Sequence, residues 1–254
     1  MVFLWLYVDL VNRWTVILRR IGGSTSFTVD WESFKNGFGD TSQDYWLGNE
    51  YLHYLTNIRA YKQRFDLEDW DGNTAYAEYS SFVVNSEADN YRLLLGDYSG
   101  NASNDQADDR RNGFLYHNNM QFSTKDRDND RKSGGSCVNV RGFGGFWYNY
   151  CSRITPTNRR CGNADCSDWG ERIRWIAWRG TWYSLKNIQM MFRPVWMVRG
   201  CRRRYTPWWF CQWHTVVFYW GFANDHIVGN QIWMTQWKGI SCVWIDRLQR
   251  KSNR

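Results

Sequence analysis

Asp126, Asp128 and Asp130 stand at alternate positions within Gln121–Cys151, QFSTKDRDNDRKSGGSCVNVRGFGGFWYNYC, and no other residues of the chain are so clearly spaced for chemistry. Three carboxylates followed by Gly134-Gly135 suit a hard cation. Calcium takes about six to eight oxygens from side chains, carbonyls and water, and glycines let backbone carbonyls turn inward. The same residues also compose an ordinary acidic, solvated turn. An EF-hand is excluded: counted from Asp126, its glycine position holds Arg131 and its closing glutamate position holds Cys137. Beyond the loop, the rings of Phe146, Trp147, Tyr148 and Tyr150 lie between Cys137 and Cys151. Such a run can wall a small apolar pocket or fill a core. No nucleophile elbow, P-loop, H-E-x-x-H or Cys/His pair occurs, so no enzyme is expected.

The composition sets the frame for these residues. With 254 residues, 43% of them hydrophobic and 19% aromatic, the chain can bury a sizeable core. Its net charge of +7 is confined to one end: residues 195–254 hold nine Lys/Arg against Asp225 and Asp246, and the remainder is neutral. That distribution argues against a nucleic-acid-binding domain in residues 1–194. Cys137 and Cys151 flank one short loop and Cys161 and Cys166 another, as expected in a disulfide-permissive compartment. Without a Cys-x-x-Cys pair, and with histidines scattered at 53, 117, 214 and 226, zinc is not expected. The opening MVFLWLYVDLV lacks a basic leader region and is shorter than the roughly twenty apolar residues of a membrane span.

Several elements can be read directly. LYVDL and WTVILRR alternate as strands, and DWESFKNGFG reads as a short helix capped by Asp30 and ended by Gly37. NEYLHYLTN is expected to be a helix with Tyr51, Leu52, Tyr54 and Leu55 facing the core and His53 on the surface. YKQRFDLEDW and TAYAEYSSFVV form a hairpin through Asp71-Gly72-Asn73, and NYRLLLG adds a strand. SNDQADDRRNG reads as a polar loop, and Asn101-Ala102-Ser103 is a glycosylation acceptor triplet. An α+β fold with a mainly antiparallel sheet follows.

MQFSTKDRDND, with WTVILRR, DWESFKNGFG, YWLGNEYLHYLTN, DLEDWDGNTAYAEY, NYRLLLGDYSGNA and WRGTWYSLKNIQMMFRP, resembles the fibrinogen-like C-terminal domain of ficolins, tachylectins, angiopoietins, tenascins and fibrinogen chains. The resemblance implies a twisted, mainly antiparallel sheet with short helices and a loop-rich calcium and ligand subdomain. It assigns residues 1–194 to that domain, with a truncated N-terminal part in which Val8 replaces a family cysteine. Residues 195–254 form a Trp/Arg-rich tail that fits no periodic template and is expected to be poorly ordered. Calcium is expected on Asp128, Asp130 and the carbonyls of Lys132 and Gly134, although the spacing from Asp130 to Cys137 is one residue longer than the family's. Cys137 and Cys151 are assigned as a disulfide pair.

In ficolin-like and tachylectin-like members a pocket for acetylated sugars adjoins the calcium, with an unusual peptide bond before the second cysteine and a histidine after it. The matching residues are Trp147, Tyr148, Tyr150, Cys151, Trp169, Gly170 and Trp182, with Ser152 in the histidine's place. The leading expectation is a secreted, calcium-dependent lectin of the innate-immune type that binds acetylated glycans. The alternative is a receptor- or matrix-protein-binding module of angiopoietin or tenascin type. No collagen-like or heptad stalk for oligomerisation is present in the sequence.

Overall fold

The computed structural model describes residues 8–9, 14–22, 25–141, 144–165 and 172–195, and the expectation for the tail at 195–254 falls almost wholly outside them. Ten strands are present among these residues: β1 (Val8–Asp9), β2 (Trp14–Arg20), β3 (Phe38–Gly39), β4 (Tyr45–Trp46), β5 (Tyr61–Glu68), β6 (Thr74–Tyr79), β7 (Phe82–Val84), β8 (Leu93–Leu95), β9 (Tyr98–Gly100) and β10 (Asn187–Pro194). The main sheet runs β3-β4-β2-β10-β5-β6-β9, with β1 added to β2 and every pairing antiparallel. A separate hairpin joins β7 to β8. The expected α+β class is observed.

The hairpin at Asp71-Gly72-Asn73 joins β5 to β6, and Gly72 takes the left-handed φ of 82° that the turn requires. Its second strand is shorter than the sequence pattern, because after Tyr79 the chain leaves the sheet and Phe82–Val84 pairs with Leu93–Leu95 instead. On β5 every second residue, Gln63, Phe65 and Leu67, is buried, so one face of the sheet covers the core and the other meets solvent.

Helix α1 (Trp31–Asn36) begins where Asp30 Oδ1 accepts the Ser33 amide at 2.9 Å and stops at Gly37, as its sequence predicts. Helix α2 (Asn49–Ile58) buries Leu52 and partly covers Tyr51 and Leu55, whereas Tyr54, expected inward, is 43% exposed. His53 is half-buried rather than free on the surface, with Nδ1 at 2.9 Å from the Val84 carbonyl. The polar segment expected to be a loop forms helix α3 (Gln106–Asn112). Asp105 Oδ1 caps it by accepting the Asp108 amide at 2.7 Å, and Gly113 ends it. Two short helices, α4 (Cys137–Arg141) and α5 (Ile176–Arg179), complete the set.

Rings dominate the interior. Trp46, Phe122, Phe114 and Phe146 surround Trp147, with Phe122 at 5.1 Å edge-on. Among the described residues one ion pair is fully buried: Arg20 Nε donates to Asp44 Oδ2 at 3.2 Å, and burial lowers the Arg20 pKa to about 10 despite the carboxylate.

Candidate functional site

The acidic loop is built outward from the core. Ser123 and Phe146 exchange backbone hydrogen bonds of 2.9 and 3.0 Å, which tie the start of the loop to the aromatic run. Asn129 donates its amide to Ser123 Oγ at 3.0 Å and its side-chain amide to the Phe122 carbonyl at 2.8 Å. The Arg131 amide donates to the Asn149 carbonyl at 3.1 Å. A disulfide joins Cys137 to Cys151 with their Cα atoms 5.2 Å apart, matching the expected pair. Cys161 is also disulfide-bonded.

The three aspartates have separate tasks. Asp126 Oδ1 accepts the Trp31 amide at 2.9 Å and the Thr124 hydroxyl at 2.7 Å, so it serves as a second cap on α1 from 95 residues away. Arg127 reinforces that joint, its guanidinium 3.9 Å from the Trp31 ring centroid and 3.7 Å from Glu87. Asp130 is half-buried and accepts the Lys132 amide at 2.8 Å and the Cys137 amide at 2.7 Å. Burial pushes its carboxyl above the usual range, and Asp128 beside it adds to the push. Asp128 is exposed and accepts the Asp130 amide at 3.2 Å.

These residues fit a calcium ion in their donor chemistry. Gly134 and Gly135 hold left-handed φ angles of 78° and 125°, and their carbonyls face a cation already: Lys132 Nζ donates to them at 3.3 and 3.4 Å. An ammonium drawn to those carbonyl oxygens marks a position that attracts positive charge. Among the described residues no cluster of three or more His, Cys, Asp or Glu could hold a metal, so any cation here would depend on carbonyls and water as well.

Among the described residues, the expected pocket walls divide between core and surface. Trp147 and Tyr148 have no exposed surface. Trp147 Nε1 donates to the Tyr91 carbonyl at 2.7 Å, and the Tyr148 hydroxyl donates to the Gly144 carbonyl. Both are core residues, which leaves them no face for a sugar. Tyr150 and Trp182 are 61% and 62% exposed, and Cys151 is half-buried. Trp169 and Gly170 lie outside the described residues. No cis peptide occurs among the described residues, so the bond before Cys151 is trans, and the backbone departs from the usual at Cys151 itself, with φ 55°. Ser152 is buried, with its hydroxyl accepting from Arg174 Nη2 at 3.1 Å.

The imidazole of this region is one that sequence reasoning passed over. His117 is completely buried; its Nδ1 donates to the Trp147 carbonyl at 2.6 Å, and its Nε2 faces the amides of Arg153 and Ile154 at 3.2 and 3.4 Å. Those partners assign the neutral tautomer with the proton on Nδ1. Desolvation lowers its pKa to about 3. The signal in the sequence was its place directly after the Phe114-Leu115-Tyr116 run, but nothing there linked it to residues 147–154.

A twisted antiparallel sheet, a loop of carboxylates and carbonyls followed directly by the Cys137–Cys151 disulfide, and an aromatic core define a fibrinogen-like globular domain. Residues 6–195 match the family described as "Fibrinogen beta and gamma chains, C-terminal globular domain", and the chain belongs to that family. Among its relatives, angiopoietin-related protein 7 of Mus musculus is 45% identical over 183 residues, covering 71% of this chain and 51% of the relative. The fibrinogen beta chain of Petromyzon marinus is 36% identical over 210 residues, covering 72% of this chain and 44% of the relative. The chain thus spans about half the length of the curated relatives it matches. The solved fibrinogen-like globe domain of human ANGPTL2 superposes with a TM-score of 0.68 at 38% identity, covering 75% of this chain and 85% of that one. Lamprey fibrin D-dimer, solved with a Gly-His-Arg-Pro-amide peptide ligand, gives a TM-score of 0.66 at 35% identity, covering 80% and 68%.

Proposed function

We propose that the domain is a secreted, non-enzymatic recognition module whose partner is a receptor or matrix protein. The observation that carries this reading is the 45% identity to an angiopoietin-related protein across most of the domain. Protein recognition also has support from the peptide held by the lamprey relative. Two features count against an acetylated-sugar lectin: two of the rings meant to wall its pocket, Trp147 and Tyr148, are core, and the position of the family imidazole is taken by Ser152, tied to Arg174. Among the described residues no helix is long and apolar enough to cross a membrane.

Calcium would be held by Asp128, Asp130 and carbonyl oxygens of the loop, Gly134 foremost. Bound there, the ion would supply charge that holds two neighbouring carboxylates together and fixes the loop against the disulfide. Lys132 would have to withdraw its ammonium from the two glycine carbonyls. The experiment is binding of the labelled full chain to cultured cells and to their deposited matrix, after protease or glycosidase treatment, with calcium or a chelator. Protease sensitivity with glycosidase resistance is the expected result. Retention released by free N-acetylglucosamine or acetate would overturn it in favour of the lectin.

A further inference from the structure

Arg110 and Arg111 of the last turn of α3, with Asp108, Asn112, Tyr116 and Arg153, surround an open depression of about 550 Å³. None of its three arginines forms an ion pair among the described residues. Elsewhere Arg20, Arg64, Arg92, Arg127 and Arg179 each sit on a carboxylate. Asp108 is the single acid in the lining, and it is turned to local partners: its oxygens accept the Asn104 amide at 3.1 Å and the Asn112 side-chain amide at 2.8 Å.

Arg153 is positioned rather than loose. Its Nε donates to the Arg111 carbonyl at 2.9 Å, and its guanidinium carbon lies 4.7 Å from the Tyr116 ring centroid. Tyr116, itself part of the lining, donates its hydroxyl to the Tyr150 backbone carbonyl at 3.1 Å, which fixes its ring beside Arg153. Three like charges around one concavity repel one another unless an anion joins them, and guanidinium forks match the oxygens of sulfate and carboxylate. The partly exposed ring of Tyr116 adds an apolar edge to the lining.

We propose that this depression binds a sulfated sugar chain, with Arg110, Arg111 and Arg153 holding the sulfates and Tyr116 between them. The ligand chemistry differs from the neutral acetyl group considered above, and the site does not use the acidic loop. The volume falls in the range of about 300–1,000 Å³ usual for ligand sites, enough for a short piece of such a chain.

The test is titration of the full chain with a heparin octasaccharide at several salt concentrations, beside its desulfated counterpart and a polyglutamate peptide. Arg110→Glu/Arg111→Glu changes two exposed side chains and leaves the Arg153 bond to a backbone carbonyl available. This variant should bind roughly thirtyfold or more weakly, and the slope of log Kd against log salt should fall by about two, one for each lost cationic contact. Arg153→Lys keeps the charge but loses the fork and should weaken binding severalfold. Arg202→Ala/Arg203→Ala/Arg204→Ala, a control for the basic charge of residues 195–254, should change it less than threefold. Binding of the Arg110→Glu/Arg111→Glu variant within twofold of the parent, loss of binding in the 202–204 variant alone, or equal affinity for polyglutamate or desulfated chains would each overturn the assignment.

Discussion

Acidification should loosen this domain through His117. The ring is buried with Nε2 accepting two backbone amides, so a proton added there would turn an acceptor into a donor facing donors. The folded-state pKa is depressed to about 3, below the unfolded value of about 6.5. A depressed pKa stabilises the fold above the unfolded value, and that contribution is lost as pH falls, because the unfolded state then binds the extra proton. Between pH 7 and pH 5 the loss comes to about 2 kcal/mol for this residue alone. Urea unfolding of the disulfide-intact full chain at pH 7, 6 and 5, followed by tryptophan fluorescence, measures it. The comparison is His117→Phe, which cannot titrate. That variant leaves the Trp147 carbonyl and the two amides unpaired and should be weaker at pH 7 by roughly 2–4 kcal/mol. Its stability should nevertheless change less between pH 7 and pH 5, by about the same 2 kcal/mol. Parallel losses in the parent and His117→Phe would refute the reasoning.

Calcium at a hundred times its Kd should raise stability by about 2.7 kcal/mol, read as a higher melting temperature, and Asp130→Asn should abolish that increment. Replacing Cys137 and Cys151 by serine opens a loop of sequence separation 14 and should cost about 3 kcal/mol in denaturant titration. Trp147→Ala should cost roughly 3–5 kcal/mol, as removal of a core ring does; a well-folded Trp147→Ala protein that had lost only ligand binding would restore the pocket reading. Arg20→Leu removes the guanidinium from the buried Asp44 carboxylate, which keeps the Ile21 and Gly22 amides, and should cost about 3–5 kcal/mol, with Asp44→Asn/Arg20→Leu recovering part of it.

Local signals in the sequence translated well into structure. Asp30 and Gly37 bound α1, the Asp71-Gly72-Asn73 turn makes the hairpin, and Cys137 meets Cys151, each because the determinant lies within a few residues or a short loop. Helix α3 was missed because its run of charges outweighed the Asp105 cap and the Gly113 stop, although both were present. Direct reading of the residues gave no hint that β10 would take a central place in the sheet, since position among strands is set by pairings far apart in sequence. The aromatic run could have been wall or core on composition alone. Packing decided for Trp147 and Tyr148, and the alternation of the run says nothing about which residues lie above it. Asp126 looked like a metal ligand and is instead a helix cap, a role visible only once α1 is placed beside the loop.

The position of β10 bears on how the domain is made. It lies between β2 and β5, so the strand that completes the middle of the sheet is the last of the ten to be synthesised. Until it arrives, β2 and β5 each present an open edge, and the nascent domain has no way to close its core. At about 5–20 residues per second, the sixty residues that follow Pro194 in this sequence take roughly 3–12 s to add. That interval falls when the gap in the sheet most needs filling, and it gives the long-range pairing of β10 time to form.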